Sequence, residues 1–158
     1  MSSAKSLKTQ NPIRIILFHE YVDTDVARKI RTSCSRPDFA VSLGEDFSAE
    51  GKLSELKTVD VAAALFTSTP TIALSEVLQQ VGAARALEKP ILLLVSRRDI
   101  LNLFSFALKP KATLVFDVGD LETREGAERF AATFENAIRD LLTTSARANA
   151  SSVGAFSR

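Results

Sequence analysis

Apolar residues recur along the chain in short runs separated by stretches of mixed character. Ile13 to Phe18 is a β-branched run of strand length and reads as a buried strand. Thr24 to Thr32 follows as a helix, with Asp23 available as N-cap and Val26, Ala27 and Ile30 at helical spacing. Pro37 ends that segment, and Phe39 to Leu43 predicts a second, shorter strand. Ala49 to Lys57 is a weak helix weakened further by Gly51, and Val59 to Phe66 predicts a third strand. Thr69 and Pro70 make a helix start, a capping hydroxyl followed by proline at the first helical position, and that helix runs to about Glu88 before Pro90. Ile91 to Val95 predicts a fourth strand and Thr113 to Asp117 a fifth; Arg97 to Leu108 between them is ambiguous. Glu122 to Leu142 carries the clearest helical stripe, through Ala127, Phe130, Phe134, Ile138 and Leu141.

Strands that alternate with helical segments argue for a parallel sheet covered by helices on both faces. The expected fold is therefore α/β, a flavodoxin-like three-layer sandwich with five parallel strands in the order 2-1-3-4-5. Ser-, Lys- and Thr-rich residues 1–11 and Ser- and Ala-rich residues 143–158 read as flexible tails around a domain at 12–142. In open parallel sheets ligands bind beyond the carboxyl ends of the strands, where the strand order reverses. That rule nominates His19, Glu20 and Tyr21 after the first strand and Thr67, Ser68 and Thr69 after the third. Ser96 and Arg97, after the fourth strand, lie on the same edge.

Composition narrows what such an edge can do. The 158 residues carry a formal charge of +1, so there is no bulk electrostatic case for nucleic acid or an anionic membrane as partner. The longest apolar runs are strand-length, far short of a spanning helix, and residues 1–11 lack the apolar core of an export signal. A reducing, cytoplasmic setting is the simple inference. One cysteine, Cys34, and one histidine, His19, leave no disulfide framework, multi-Cys zinc site or His-rich metal cluster. No bound cofactor is expected. Trp is absent and Tyr21 is the only Tyr, which argues against aromatic platforms for sugars or bases.

No GxGxxG, GxxxxGK[ST], GxSxG, HExxH or CxxC occurs. His19 at a strand end has two readings, a general base or a rim residue in an ordinary hydrogen bond. Cys34 reads as a plain buried thiol, having no activating histidine near it in sequence. Arg97 and Arg98 are either a phosphate grip or a solvated pair, and Phe104 and Phe106 are expected to plug the core beneath that loop.

The segment from Val59 to Val95, VDVAAALFTSTPTIALSEVLQQVGAARALEKPILLLV, joins an apolar strand, a Ser/Thr loop, a helix ending G-A-A-x-A-L-x-K-P and a second apolar strand. Together with F-H-E-Y-V-D-T-D-V-A-R-K-I from Phe18 to Ile30, it resembles the TIR domain superfamily, in its bacterial branch and the neighbouring nucleoside 2-deoxyribosyltransferase-like proteins. The resemblance covers roughly Ile13 to Leu142. It implies the fold derived above and a nucleotide-type pocket for NAD, an NAD-derived molecule or a nucleoside, as ligand or substrate. It also implies a signalling or defence role, with association into homo-oligomers or with other TIR-type domains.

Active members of that superfamily cleave an N-glycosidic bond with a glutamate on the helix after the third strand. The cleavage leaves oxocarbenium character on the ribose, which a nearby carboxylate stabilises or traps. At the matching position, two residues before Gly82 and nine before Lys89, this chain has Gln80. An amide can hydrogen-bond ribose hydroxyls but supplies no charge. The resemblance then implies a ligand-binding or association domain. The enzymatic alternative is an NAD glycohydrolase or nucleoside ribosyltransferase using Glu76 or Glu20. On a helical wheel whose buried stripe is Leu74, Val77, Leu78, Val81 and Ala84, Glu76 points roughly 140° from the stripe and Gln80 roughly 100°. That places Glu76 among solvated residues of the early helix, although it lies about 6 Å nearer the ligand-binding edge.

Overall fold

The computed structural model describes residues 11–68, 76–96 and 112–156. Five strands, β1 (Ile13–His19), β2 (Phe39–Leu43), β3 (Val61–Phe66), β4 (Ile91–Val95) and β5 (Ala112–Val115), form one sheet in the order β2-β1-β3-β4-β5. Every neighbouring pair is parallel. This is the flavodoxin-like order expected from the alternation of strands and helices. β3 and β4 are buried along their whole length, which is why both read as unbroken apolar runs rather than as alternating ones.

Four described helices cover the sheet: α1 (Thr24–Cys34), α2 (Ala49–Thr58), α3 (Glu76–Ala86) and α4 (Arg124–Phe156). The two-residue period of the strands divides the core. Ile15, Leu17, Ala63, Leu65, Leu92 and Leu94 point to α1 and α4, where they meet Ile30, Phe130, Phe134 and Ile138. Ile16, Phe18, Ala62, Ala64, Phe66, Leu93 and Val95 point the other way, to Leu56 of α2 and Val77, Val81 and Ala84 of α3.

Most predicted boundaries fall within two residues of those observed. Val59 is buried but belongs to the end of α2, and β3 starts only at Val61, because the Val59 amide still bonds the Glu55 carbonyl. α4 begins at Arg124 and runs past Leu142 to Phe156, through the segment whose small residues show little hydrophobic period. Its Ala and Ser content permits helix without marking a buried face. The predicted cap and start of the third helix at Thr69 and Pro70, the segment Arg97 to Leu108 and the Phe104–Phe106 pair lie outside the described residues.

Candidate functional site

The carboxyl edge of β1 leads directly into a 3-10 turn, Tyr21–Asp23, and then α1. Asp23 stands at the N-cap of α1, but its side chain makes no capping bond. The carboxylate, 1% exposed, instead accepts hydrogen bonds from the Thr67 amide (3.3 Å) and the Thr67 hydroxyl. A buried carboxylate needs donors, and Asp23 takes two from the end of β3 rather than any from the first turn of α1. Ser96 extends the brace: its hydroxyl donates to the Thr67 carbonyl at 3.1 Å, and its amide to the Phe66 carbonyl at 3.2 Å. The ends of β1, β3 and β4 are thereby tied together at the reversal of strand order. Thr67 and Ser96, nominated for ligand contact, are engaged in that tie.

Next to the brace lies a cleft of about 170 Å³ lined by His19, Tyr21, Thr24, Gly44, Glu45, Lys52, Glu76 and Gln80. Gly44 opens a 3-10 turn after β2, Gly44–Asp46, which Asp46 closes by accepting the Leu43 amide at 3.2 Å. A Cβ on residue 44 would stand 2.8 Å from the Phe18 ring, so only glycine lets this turn press against β1. That contact carries Glu45 to His19. Glu45 is held from outside by Arg28, at 3.1 and 3.2 Å through two guanidinium nitrogens. The hydrogen bond and charge of Glu45 raise the Arg28 pKa above its ordinary value.

His19 is the buried member of this group, with 5% of its side chain exposed. Its Nδ1 lies 2.8 Å from the Glu20 carbonyl, which can only accept, so Nδ1 carries the hydrogen and the neutral ring's lone pair sits on Nε2. Nε2 has no hydrogen-bond partner among the described residues and faces Glu45 Oε1 at 3.8 Å.

The cleft continues into a groove of about 330 Å³ between α2 and α3. Lys52, Glu76 and Gln80 belong to both; Leu53, Leu56, Gln79 and Ala83 complete the groove. The side chains of Lys52, Glu76 and Gln80 form no hydrogen bond or ion pair with another described residue. Glu76 is exposed, as the wheel expects, but it faces the cleft. The stripe geometry misses this because α2, with Lys52, forms a second wall beside the exposed flank of α3.

Of the nominated residues, the structure gathers His19, Tyr21, Glu76 and Gln80 at the cleft. Tyr21 is 95% exposed at its rim. Glu20 contributes its carbonyl to His19 and is not among the described residues lining the cleft. Ser68 is exposed at the end of β3, while Thr69 and Arg97 fall outside the described residues. Glu45, Lys52 and Asp23 are what sequence reasoning missed as site residues. Glu45 directly follows Gly44 at the end of β2, and that strand-end position is the signal that points to it.

Cys34 is buried, and burial pushes its thiol up to about 12, so it stays protonated and unreactive. Among the described residues no group of three or more His, Cys, Asp or Glu could hold a metal ion. Nor is any described helix long and apolar enough to cross a membrane.

No protein-family profile matches the chain, and no curated protein does. Solved structures resemble it at low identity. The Vibrio vulnificus NanR protein complexed with ManNAc-6P is 14% identical over 98% of this chain and 60% of that one, with a TM-score of 0.48. The Clostridium botulinum CMP N-glycosidase BcmB is 14% identical over 68% of this chain and 99% of that one, with a TM-score of 0.43. The Escherichia coli CFT073 protein c3406 is 12% identical over 90% of this chain and 76% of that one, with a TM-score of 0.44. The chain thus spans less than two thirds of the length of NanR.

Proposed function

We propose that this domain binds a nucleoside or an NAD-derived molecule in the cleft beside His19 and holds it without cleaving it. The observation that carries the reading is the convergence of His19, Lys52, Glu76 and Gln80 from three separate elements, β1, α2 and α3. Three of these side chains have no other described partner to satisfy. A cation, a carboxylate, an amide and an imidazole around one cleft match a ligand rich in hydroxyls and ring nitrogens. The adjoining groove, walled by Leu53, Leu56 and Ala83, offers room for a flatter, less polar part.

Gln80 is the reason to expect binding rather than turnover. A carboxylate ~4 Å from a developing oxocarbenium ion supplies on the order of 4 kcal/mol at an effective dielectric of 20. That is roughly a thousandfold in rate. The amide of Gln80 offers hydrogen bonds in place of that charge.

The rival reading is an active glycohydrolase using Glu76, and the placement of Glu76 in the same cleft favours it. Calorimetry with NAD and measurement of nicotinamide release from NAD, on wild type, Glu76→Ala and Gln80→Glu, separate the two. Binding with no release by wild type, and release by Gln80→Glu, is the expected result. Wild-type release abolished by Glu76→Ala would transfer the catalytic role to Glu76 and end the binding-only reading.

A further inference from the structure

With its hydrogen on Nδ1, the uncharged His19 ring presents Nε2 as an acceptor, and Nε2 faces a second acceptor, Glu45 Oε1, at 3.8 Å, beyond hydrogen-bond distance. The tautomer is set from behind, since Nδ1 donates to the Glu20 carbonyl. Glu45 is likewise set from behind by the two contacts from Arg28. Neither group can therefore turn away easily to find a donor elsewhere. An unpartnered buried acceptor costs free energy until something donates to it. Both residues line the cleft, and Nε2 is itself shut off from solvent, so a donor reaches it only by seating fully between the two residues.

We propose that His19 and Glu45 form a donor-binding pair that reads a sugar hydroxyl of the ligand, Nε2 accepting from it and Glu45 accepting from it or from its neighbour. The inference rests on the binding function proposed above and adds its orientation. The sugar faces the His19 compartment and the base lies toward Leu53 and Ala83 in the α2–α3 groove. It also makes His19 a specificity residue rather than a rim residue in an ordinary bond. The charges around the cleft support an uncharged sugar here: Arg28 offsets Glu45, and Lys52 lines the same cleft as Glu76.

The test measures the affinity of adenosine and of 2′,3′-dideoxyadenosine for wild type, His19→Phe and Glu45→Gln. The imidazole nitrogens of the wild-type chain and of Glu45→Gln are followed by NMR. Wild type is expected to lose about tenfold in affinity when the hydroxyls are removed, the size of one hydrogen bond to a polar site. His19→Phe should bind both compounds alike. Glu45→Gln keeps the shape of the site, but its amide can donate to Nε2, so it too should lose the discrimination; it covers the case in which His19→Phe does not fold. Adenosine should shift the Nε2 resonance of wild-type His19 in the direction of an accepted hydrogen bond. Equal binding of the two compounds to wild type would overturn the donor-binding pair and leave the binding function standing. A tenfold preference that survives in Glu45→Gln with an unmoved Nε2 resonance would place the hydroxyls elsewhere and overturn it too. Failure of adenosine to bind wild type at all would overturn the pair, while NAD binding in the calorimetry above would still separate that result from failure of the broader reading.

Discussion

The two faces of the sheet are built differently. On the α1–α4 face, Phe116 packs edge-on against Phe130 at 5.1 Å and Phe130 stacks on Phe134 at 6.0 Å. Arg139 of α4 lies 5.0 Å over the Phe39 ring and pairs with Asp38 at 3.0 Å, and Arg36 reaches Glu135 at 3.3 Å. On the α2–α3 face the described core sets Phe18 and Phe66 of the sheet among small residues, Ala62 and Ala64 beside them and Val77, Val81 and Ala84 from α3. The cleft and its groove open beside those helices. Stacked rings and ion pairs from α4 knit the first face together, while on the second the helices contribute small side chains and leave the polar ends of Lys52, Glu76 and Gln80 without a partner among the described residues.

The sharpest way to break this comparison is to remove one ring. Phe134 is 1% exposed and stacks within the aromatic cluster. Phe134→Ala should cost about 3–5 kcal/mol in urea unfolding, the transfer term plus the cavity left in a site that cannot collapse. Leu56→Ala on the opposite face should cost about 2 kcal/mol, at the low end for such a change, because Leu56 borders the groove and its neighbours have room to relax. Equal losses would mean that the faces do not differ in cohesion.

A smaller effect is expected where the faces meet. If Asp23 were only a helix cap, Asp23→Ala would cost about 1 kcal/mol. Its carboxylate instead satisfies the amide and hydroxyl of Thr67. Asp23→Ala should therefore cost about 2–3 kcal/mol, since it leaves a half-buried amide and hydroxyl unpaired. A double-mutant cycle with Thr67→Val reports the difference. Coupling of about 1 kcal/mol or more identifies the brace, and additivity would return Asp23 to a capping role.

The contrast between the faces also explains what is legible in the sequence. α1 and α4 pack one wide stripe against the sheet, so the spacing of Ile30, Phe130, Phe134, Ile138 and Leu141 marks both the helices and their buried sides. The strands are legible because burial on both faces leaves apolar runs bounded by turn residues. α2 and α3 are only weakly amphipathic, since their polar sides line a cleft rather than open water. His19 can be nominated because strand ends at a reversal of order are informative whatever the residue. Lys52 cannot, because a lysine on a weak helix looks the same whether it meets solvent or a neighbouring helix. Asp23 misleads for a related reason: its position before α1 is that of a cap, and only tertiary structure shows which donors it serves. The Glu76 wheel falls short by treating α3 as one helix on one sheet, without the second wall that α2 supplies.

The mildest expected effects sit in α3, where the motif G-A-A-x-A-L-x-K-P puts glycine and a left-handed residue at opposite needs. Gly82 lies inside the helix, and a Cβ there would meet nothing within 4 Å among the described residues. Glu88 follows the helix with a φ of 59°, its amide bonding the Arg85 carbonyl at 2.9 Å while the Lys89 amide bonds that of Ala84 at 3.0 Å. That is the helix end at which glycine is favoured, and glutamate there bears the steric cost of a left-handed backbone. Gly82→Ala should stabilise by about 0.5–1 kcal/mol through helix propensity. Glu88→Gly should stabilise by under about 1 kcal/mol, relief of the left-handed strain being offset by the greater freedom glycine has when unfolded. The sites are about 9 Å apart along the helix axis, so the double variant should show nearly the sum in urea unfolding. If Gly82→Ala destabilises instead, the glycine is there to admit a close approach from another part of the chain or from a partner. The α2–α3 side would then be shaped by contact at Gly82 as well as by its cleft.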